Sequence, residues 1–157
     1  MSSFIPRPTL DLIDLLLGEH AALLSLLRYL DNHRPSMDLT ALREAARALE
    51  AVLMAHAIEE DSLLFHALPA DQRGVRETLD AMFAEHNEQR RLLSELLAAE
   101  ELPAARSLMK RVIELTREHF AVEERVLFGL ARQILPLERL TDLGAEFARR
   151  RGISRPS

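Results

Sequence analysis

His56-Ala-Ile-Glu-Glu60-Asp-Ser-Leu-Leu-Phe65 returns 63 residues later as His119-Phe-Ala-Val-Glu123-Glu-Arg-Val-Leu-Phe128. The two runs share a His, a Glu four residues on, a Leu eight on and a Phe nine on. On an α-helix, residues four apart are separated by only about 40° around the axis, so each His and its Glu point the same way. Both stretches therefore read as helices carrying an imidazole and a carboxylate one turn apart on an otherwise apolar face.

The rest of the chain agrees with a helical reading. Its 157 residues hold 31 Leu against 11 Val plus Ile, with 5 Gly, so straight-chain helix formers outweigh β-branched residues. Apolar residues make up 48% and charged residues 29%, a balance that predicts one globular domain over 1–157. Pro6 and Pro8 keep the start extended, and Thr9 is a candidate N-cap for a first helix bearing Leu10, Ile13, Leu16, Leu17, His20, Leu23, Leu24 and Leu27. That helix should end near Asn32–Pro35. Asp38 or Thr40 opens a second, with Leu42, Leu49, Val52, Leu53, His56, Leu63 and Leu64 inward, ending before Pro69. A third starts within Asp71–Gly74 and turns Leu79, Met82, Phe83, His86, Leu93, Leu96 and Leu97 inward. Pro103 suits the first turn of a fourth, which carries Leu108, Val112, Leu115, His119, Val126, Leu127 and Leu130 to about Leu135. Four long helices with short connections predict an all-α, antiparallel up-down-up-down four-helix bundle over about 8–135. Pro136 sets off a shorter C-terminal helix, about 137–151.

His20 and His86 give the first and third helices one inward imidazole each. His20, His56, Glu60, His86, His119 and Glu123 thus form a six-group set distributed over four helices. Two unpaired carboxylates buried in a bundle would be strongly unfavourable, whereas cations among them offset that cost. A metal site is the reading the set supports. The competing reading is a buried His–Glu ion-pair network that fixes helix register. There is no Cys, which excludes disulfides, thiolate metal sites and iron–sulfur ligation. Imidazole plus carboxylate suits Fe, Mn or Zn, and six such ligands exceed one tetrahedral Zn. Two octahedral ions, bridged by both Glu and by an oxo or hydroxo group, would each keep one position open for a small ligand.

The order His, His-x-x-x-Glu, His, His-x-x-x-Glu over about residues 8–135 resembles the hemerythrin-like, or HHE cation-binding, domain family. The resemblance implies a non-haem di-iron centre, with manganese or a mixed pair as variants. His20 and His56 would bind one iron, His86 and His119 the other, and Glu60 and Glu123 would span both. Oxygen-carrying hemerythrins add a fifth His four residues before the third-helix His. Here that position is Met82. The four-His, two-Glu set is similar to the di-iron proteins of iron–sulfur cluster repair and to iron- and oxygen-sensing hemerythrin domains. A stand-alone bacterial-type hemerythrin-like domain fits best.

Other polar residues read differently. Glu59 and Glu85 could orient a ligand imidazole, though each reads first as a surface charge, and Glu118 and Asp61 more so. His33 and His66 read as surface, and Met82, Phe83, Phe65, Phe120 and Phe128 as lining or core. The Arg149–Arg151 run reads as a solvated helix end, with contact to an acidic partner as the sharper option. Net charge is −5, which disfavours nucleic-acid binding. No secretory or membrane-spanning segment is visible, so a cytoplasmic location is expected. The function that follows is binding of O2, NO or peroxide, in oxygen, NO or peroxide handling or in iron sensing; di-iron oxidase, catalase-like or iron–sulfur-repair-like activity are the enzymatic possibilities. The alternative is a metal-ordered helical interaction module without small-ligand chemistry.

Overall fold

The computed structural model describes residues 10–153 and is all-helical, with no strand among them. Helix α1 spans Leu12–His33, α2 Leu39–Glu59, α3 Arg73–Ala98, α4 Leu102–Val122, α5 Phe128–Ile134 and α6 Leu137–Arg150. Thr9 lies outside the described residues, and the cap of α1 is Asp11. Its carboxylate accepts from the Asp14 amide at 3.0 Å, while its own amide donates to Asp14 Oδ2 at 3.0 Å. This reciprocal arrangement satisfies two amides that a helix start leaves unpaired. Asp38 caps α2 by accepting from the Ala41 amide at 2.8 Å, as its position predicts. Pro103 sits in the first turn of α4.

Two widened turns are absent from the sequence reading. Glu60–Phe65 extends α2, and Glu123–Leu127 joins α4 to α5, both as π-helix. In each, an amide reaches five residues back: His66 to the Asp61 carbonyl, and Phe128 to the Glu123 carbonyl. Such turns re-phase a helix by one residue and concentrate at functional sites. The first lets Glu60 and then Leu63, Leu64 and Phe65 all face inward.

Apolar side chains gather in two cores. One holds Leu12, Leu16, Leu64, Phe65, Leu79, Met82, Leu127 and Phe128 with Leu140, Leu143 and Phe147 of α6. The other holds Leu27, Leu49, Leu53, Leu92, Leu93, Met109, Val112, Ile113 and Phe120. Along α1 and α3 a buried His separates the residues of one core from those of the other, and on α2 and α4 the His lies near the end of the stretch that feeds the second core. Removing a buried Leu such as Leu64 would cost about 2–5 kcal/mol.

Some expected inward residues face out. Val52 is 41% exposed, Val126 42% and Phe83 41%, with Leu10 and Leu17 also exposed. Val52 and Phe83 sit about 100° from Leu53 and Met82, at the edge of the apolar stripe. Phe83 covers Phe65 edge-on, with centroids 5.2 Å apart. Val126 is displaced by the widened turn it belongs to. Helix α6 packs on α1 through Gly144: a Cβ there would lie 2.9 Å from Asp11 C and 2.9 Å from Leu12 N, so no larger residue permits this approach. No described helix is long and apolar enough to cross a membrane.

Candidate metal centre

The layer between the two cores is polar and buried. His20 comes from the middle of α1 and His86 from the middle of α3; His56 and His119 come from the last turns of α2 and α4. Glu60 and Glu123 begin the two widened turns. All six side chains are buried, with Glu60 and Glu123 at 0% exposure. Two overlapping groups form, His20–His56–Glu60–Glu123 and Glu60–His86–His119–Glu123, each with its ligand atoms within 4.8 Å of one another. The structure thus brings together every residue of the expected set.

Each Glu reaches both halves. Glu123 Oε2 lies 3.3 Å from His20 Nε2, while its Oε1 lies 2.9 Å from His119 Nε2 and 3.9 Å from His86 Nε2. Glu60 Oε2 lies 3.5 Å from His56 Nε2 and 3.6 Å from His86 Nε2, and its Oε1 3.9 Å from His20 Nε2.

The outward nitrogen of each imidazole explains the inward one. Every Nδ1 donates to a carboxylate: His20 to Glu124 at 2.9 Å, His56 to Glu19 at 2.8 Å, His86 to Asp61 at 3.2 Å and His119 to Glu85 at 2.5 Å. A carboxylate only accepts, so it holds the proton on Nδ1 and turns a lone pair on Nε2 toward the centre. His20 Nε2 and His56 Nε2 are 3.1 Å apart, so two such lone pairs face each other. With the rings neutral, both oxygens of Glu60 and of Glu123, with His86 Nε2 and His119 Nε2, have no hydrogen-bond donor; the 2.9 Å contact of His119 Nε2 with Glu123 Oε1 becomes a hydrogen bond only when that ring is protonated. Converging acceptors without donors require a cation.

In metal-free protein, protons meet part of that need. Burial holds the Glu60 carboxyl well above the usual carboxylate range, and nearby Glu123 adds to the effect. Burial would raise Glu123 too, but His119 and His20 outweigh it and hold it well below that range. Burial lowers His56 despite Glu19. It would lower His119 as well, but Glu123 and Glu85 leave it raised. The donor set, imidazole and carboxylate with no thiolate, fits Fe, Mn or Zn.

The family model described as Hemerythrin HHE cation binding domain matches residues 11–131. The chain belongs to the hemerythrin HHE family. No curated protein and no solved structure matches it. In this hemerythrin-family chain Met82 is buried in the core beside the centre, so an apolar thioether stands at the fifth-His position.

Four carboxylates behind the imidazoles correct the sequence reading. Asp61 and Glu85 are not surface charges, and Glu19 and Glu124 were not singled out. A signal was present. Glu19 precedes His20 as Glu85 precedes His86, and Asp61 follows Glu60 as Glu124 follows Glu123. Glu19, Asp61 and Glu85 each serve the His of the following long helix, and Glu124 reaches back to His20 on the first. Glu59 is buried but accepts from Arg150 Nη1 at 3.0 Å instead of holding an imidazole. Glu118, His33 and His66 are exposed, as expected.

Proposed function

We propose that the chain is a non-haem di-iron protein that takes a small ligand, O2, NO or peroxide, at iron positions its own residues leave free. The observation that carries this reading is the pair of overlapping four-residue groups that share Glu60 and Glu123. Two His and two carboxylate oxygens give each ion four protein donors, fewer than an octahedral ion takes, which supports room for an outside ligand. Iron held there would supply redox chemistry and a Lewis-acidic position for a diatomic molecule or peroxide.

The chain's own residues fix donors and exclude water. Phe120 stacks on His20 with centroids 3.8 Å apart, and Phe128 lies 5.3 Å from the same ring. Phe65 lies parallel to His86 at 5.9 Å. These rings pack against the imidazoles and restrict their rotation. We read the helices as an up-down-up-down antiparallel bundle. Successive long helices pass alternately from the Leu16–Met82 core to the Leu53–Ile113 core and back, which supports that order.

The rival reading, an interaction module using the Arg149–Arg151 run, needs those cations free. Arg150 and Arg151 are instead bonded within the fold, to Glu59 and Glu19. The test is anaerobic loading with ferrous iron, dialysis and elemental analysis, followed by admission of air, NO or hydrogen peroxide while the visible spectrum is recorded. Two irons per chain and a ligand-dependent spectrum are expected. One iron or none refutes the di-iron reading; two irons with a spectrum indifferent to all three ligands favours the module.

A further inference from the structure

The four carboxylates behind the imidazoles are not equivalent. Glu85, Asp61 and Glu124 each pair with one His and with no cation among the described residues. Glu19 alone is also held by an arginine. Arg151 Nε donates to Glu19 Oε1 at 2.8 Å and its Nη2 to Oε2 at 3.2 Å, a two-point grip suited to the planar guanidinium. The same Nη2 donates to the Ala55 carbonyl at 3.1 Å, next to His56 in the chain. The guanidinium lies over the Phe147 ring, 5.1 Å from its centroid. Arg151 therefore joins α1, α2 and α6 at the level of the centre.

Helix α6 is itself firmly placed. Leu140, Leu143 and Phe147 are buried in the core that also takes Leu16 and Leu64. Gly144 sets its close approach to α1. Arg150 Nη1 ties it to Glu59 at 3.0 Å and to Ser62 Oγ at 2.8 Å. Glu19, meanwhile, borders a groove of about 250 Å³ whose other walls include Leu23, Leu26, Val52 and His56. A carboxylate beside such a groove has room to swing to solvent unless something holds it.

We infer that Arg151 is a positioning residue of the His20–His56 half of the centre, acting through Glu19 to orient His56. The inference rests on the two-ion reading above. It makes the two metal positions unequal: one depends on the C-terminal helix and the other, backed by Glu85 and Asp61, does not. Outer-shell partners of ligand His typically change metal affinity about 10–100-fold, which sets the expected size.

The experiment is a cobalt(II) titration of the full chain against a competing chelator, read from the visible bands of bound cobalt. Wild type is expected to bind two ions. Arg151→Gln should bind one as wild type does and the other about tenfold or more weaker. Glu19→Gln should match it, and Arg151→Lys, which keeps charge but loses the two-point grip, should fall between. Arg151→Gln should add nothing in a His56→Ala background, yet weaken the remaining ion in a His119→Ala background. Equal weakening at both positions, or a titration like that of wild type, overturns the inference while leaving the two-ion reading intact. Wild type that binds fewer than two ions overturns both. Thermal melts of each metal-free variant, expected close to that of wild type, show that the loss is not one of folding.

Discussion

Stripping both ions from the loaded protein should lower its melting temperature by tens of degrees. The structural reason is the six buried polar atoms at the centre that lack a donor while the rings are neutral: two oxygens each from Glu60 and Glu123, with His86 Nε2 and His119 Nε2. Leaving such a group unsatisfied costs about 1–3 kcal/mol, so the six together cost about 6–18 kcal/mol. That equals or exceeds the roughly 5–15 kcal/mol that holds an ordinary domain folded. The cost falls below this sum only as far as Glu60 and His119 take up protons. Mass action gives the same order independently: at free metal 1,000-fold above Kd each ion contributes about 4 kcal/mol, and two about 8 kcal/mol. For a chain of this length about 1 kcal/mol moves the midpoint by roughly 2–4 °C, so the expected drop is about 16–32 °C. Scanning calorimetry of the iron-loaded protein, before and after anaerobic chelation, measures it, with metal content determined on the same samples. A drop under about 4 °C, with two irons confirmed before chelation and none after, would mean that the buried acceptors do not depend on metal. The reasoning would then fail.

Four other outcomes are expected. Glu60→Ala and Glu123→Ala should each lose most of the metal, since each carboxylate faces both halves, while His66→Ala should keep full metal content by elemental analysis. Glu85→Gln should weaken metal binding about 10–100-fold in chelator competition, because the proton on His119 Nδ1 is no longer anchored by charge. In metal-free protein Glu60 is raised above its ordinary 4.5, so the folded state binds its proton more tightly and the stability it lends is lost as pH rises above 4.5. Glu60→Gln does not titrate, so denaturant melts should show the variant gaining on wild type over that window, by at most about 1.4 kcal/mol per pH unit. Gly144→Ala should cost about 1–3 kcal/mol in the same melts, because the added methyl meets backbone at 2.9 Å and backbone cannot yield as a side chain does.

The all-helical character and the convergence of the six groups were legible because both depend on period. Leu at helical spacing marks the stripe, and a His and Glu four apart on that stripe must point together. What period cannot show is a change of period. The widened turns at Glu60–Phe65 and Glu123–Leu127 shift the phase, and Val126 was placed inward because the count ran straight through. Asp61, Glu85, Glu19 and Glu124 were obscured for another reason. Each lies beside a ligand in sequence, about 100° off the inward face, where a lone helix would give it to solvent. Only the neighbouring helix makes that direction functional. Of the Arg149–Arg151 run, Arg149 and Arg150 are exposed as a helix end would be, and only Arg151 departs, because Glu19 stands opposite it.

These neighbours also locate the chain's acidity. Glu19, Glu60, Asp61, Glu85, Glu123 and Glu124 are six of its 25 acidic residues; without them 19 remain against 20 Lys plus Arg. The net charge of −5 is therefore a property of one layer, and the rest of the molecule is balanced. A layer with six carboxylates against four imidazoles is unfavourable as an ion-pair register device, because even four protonated rings would balance only four of the six charges. Two divalent ions would bring the chain from −5 to −1. They would do so where the donors already converge, between the two apolar cores. The acids, the widened turns and the C-terminal arginine thus serve one electrostatic requirement that none of them satisfies alone.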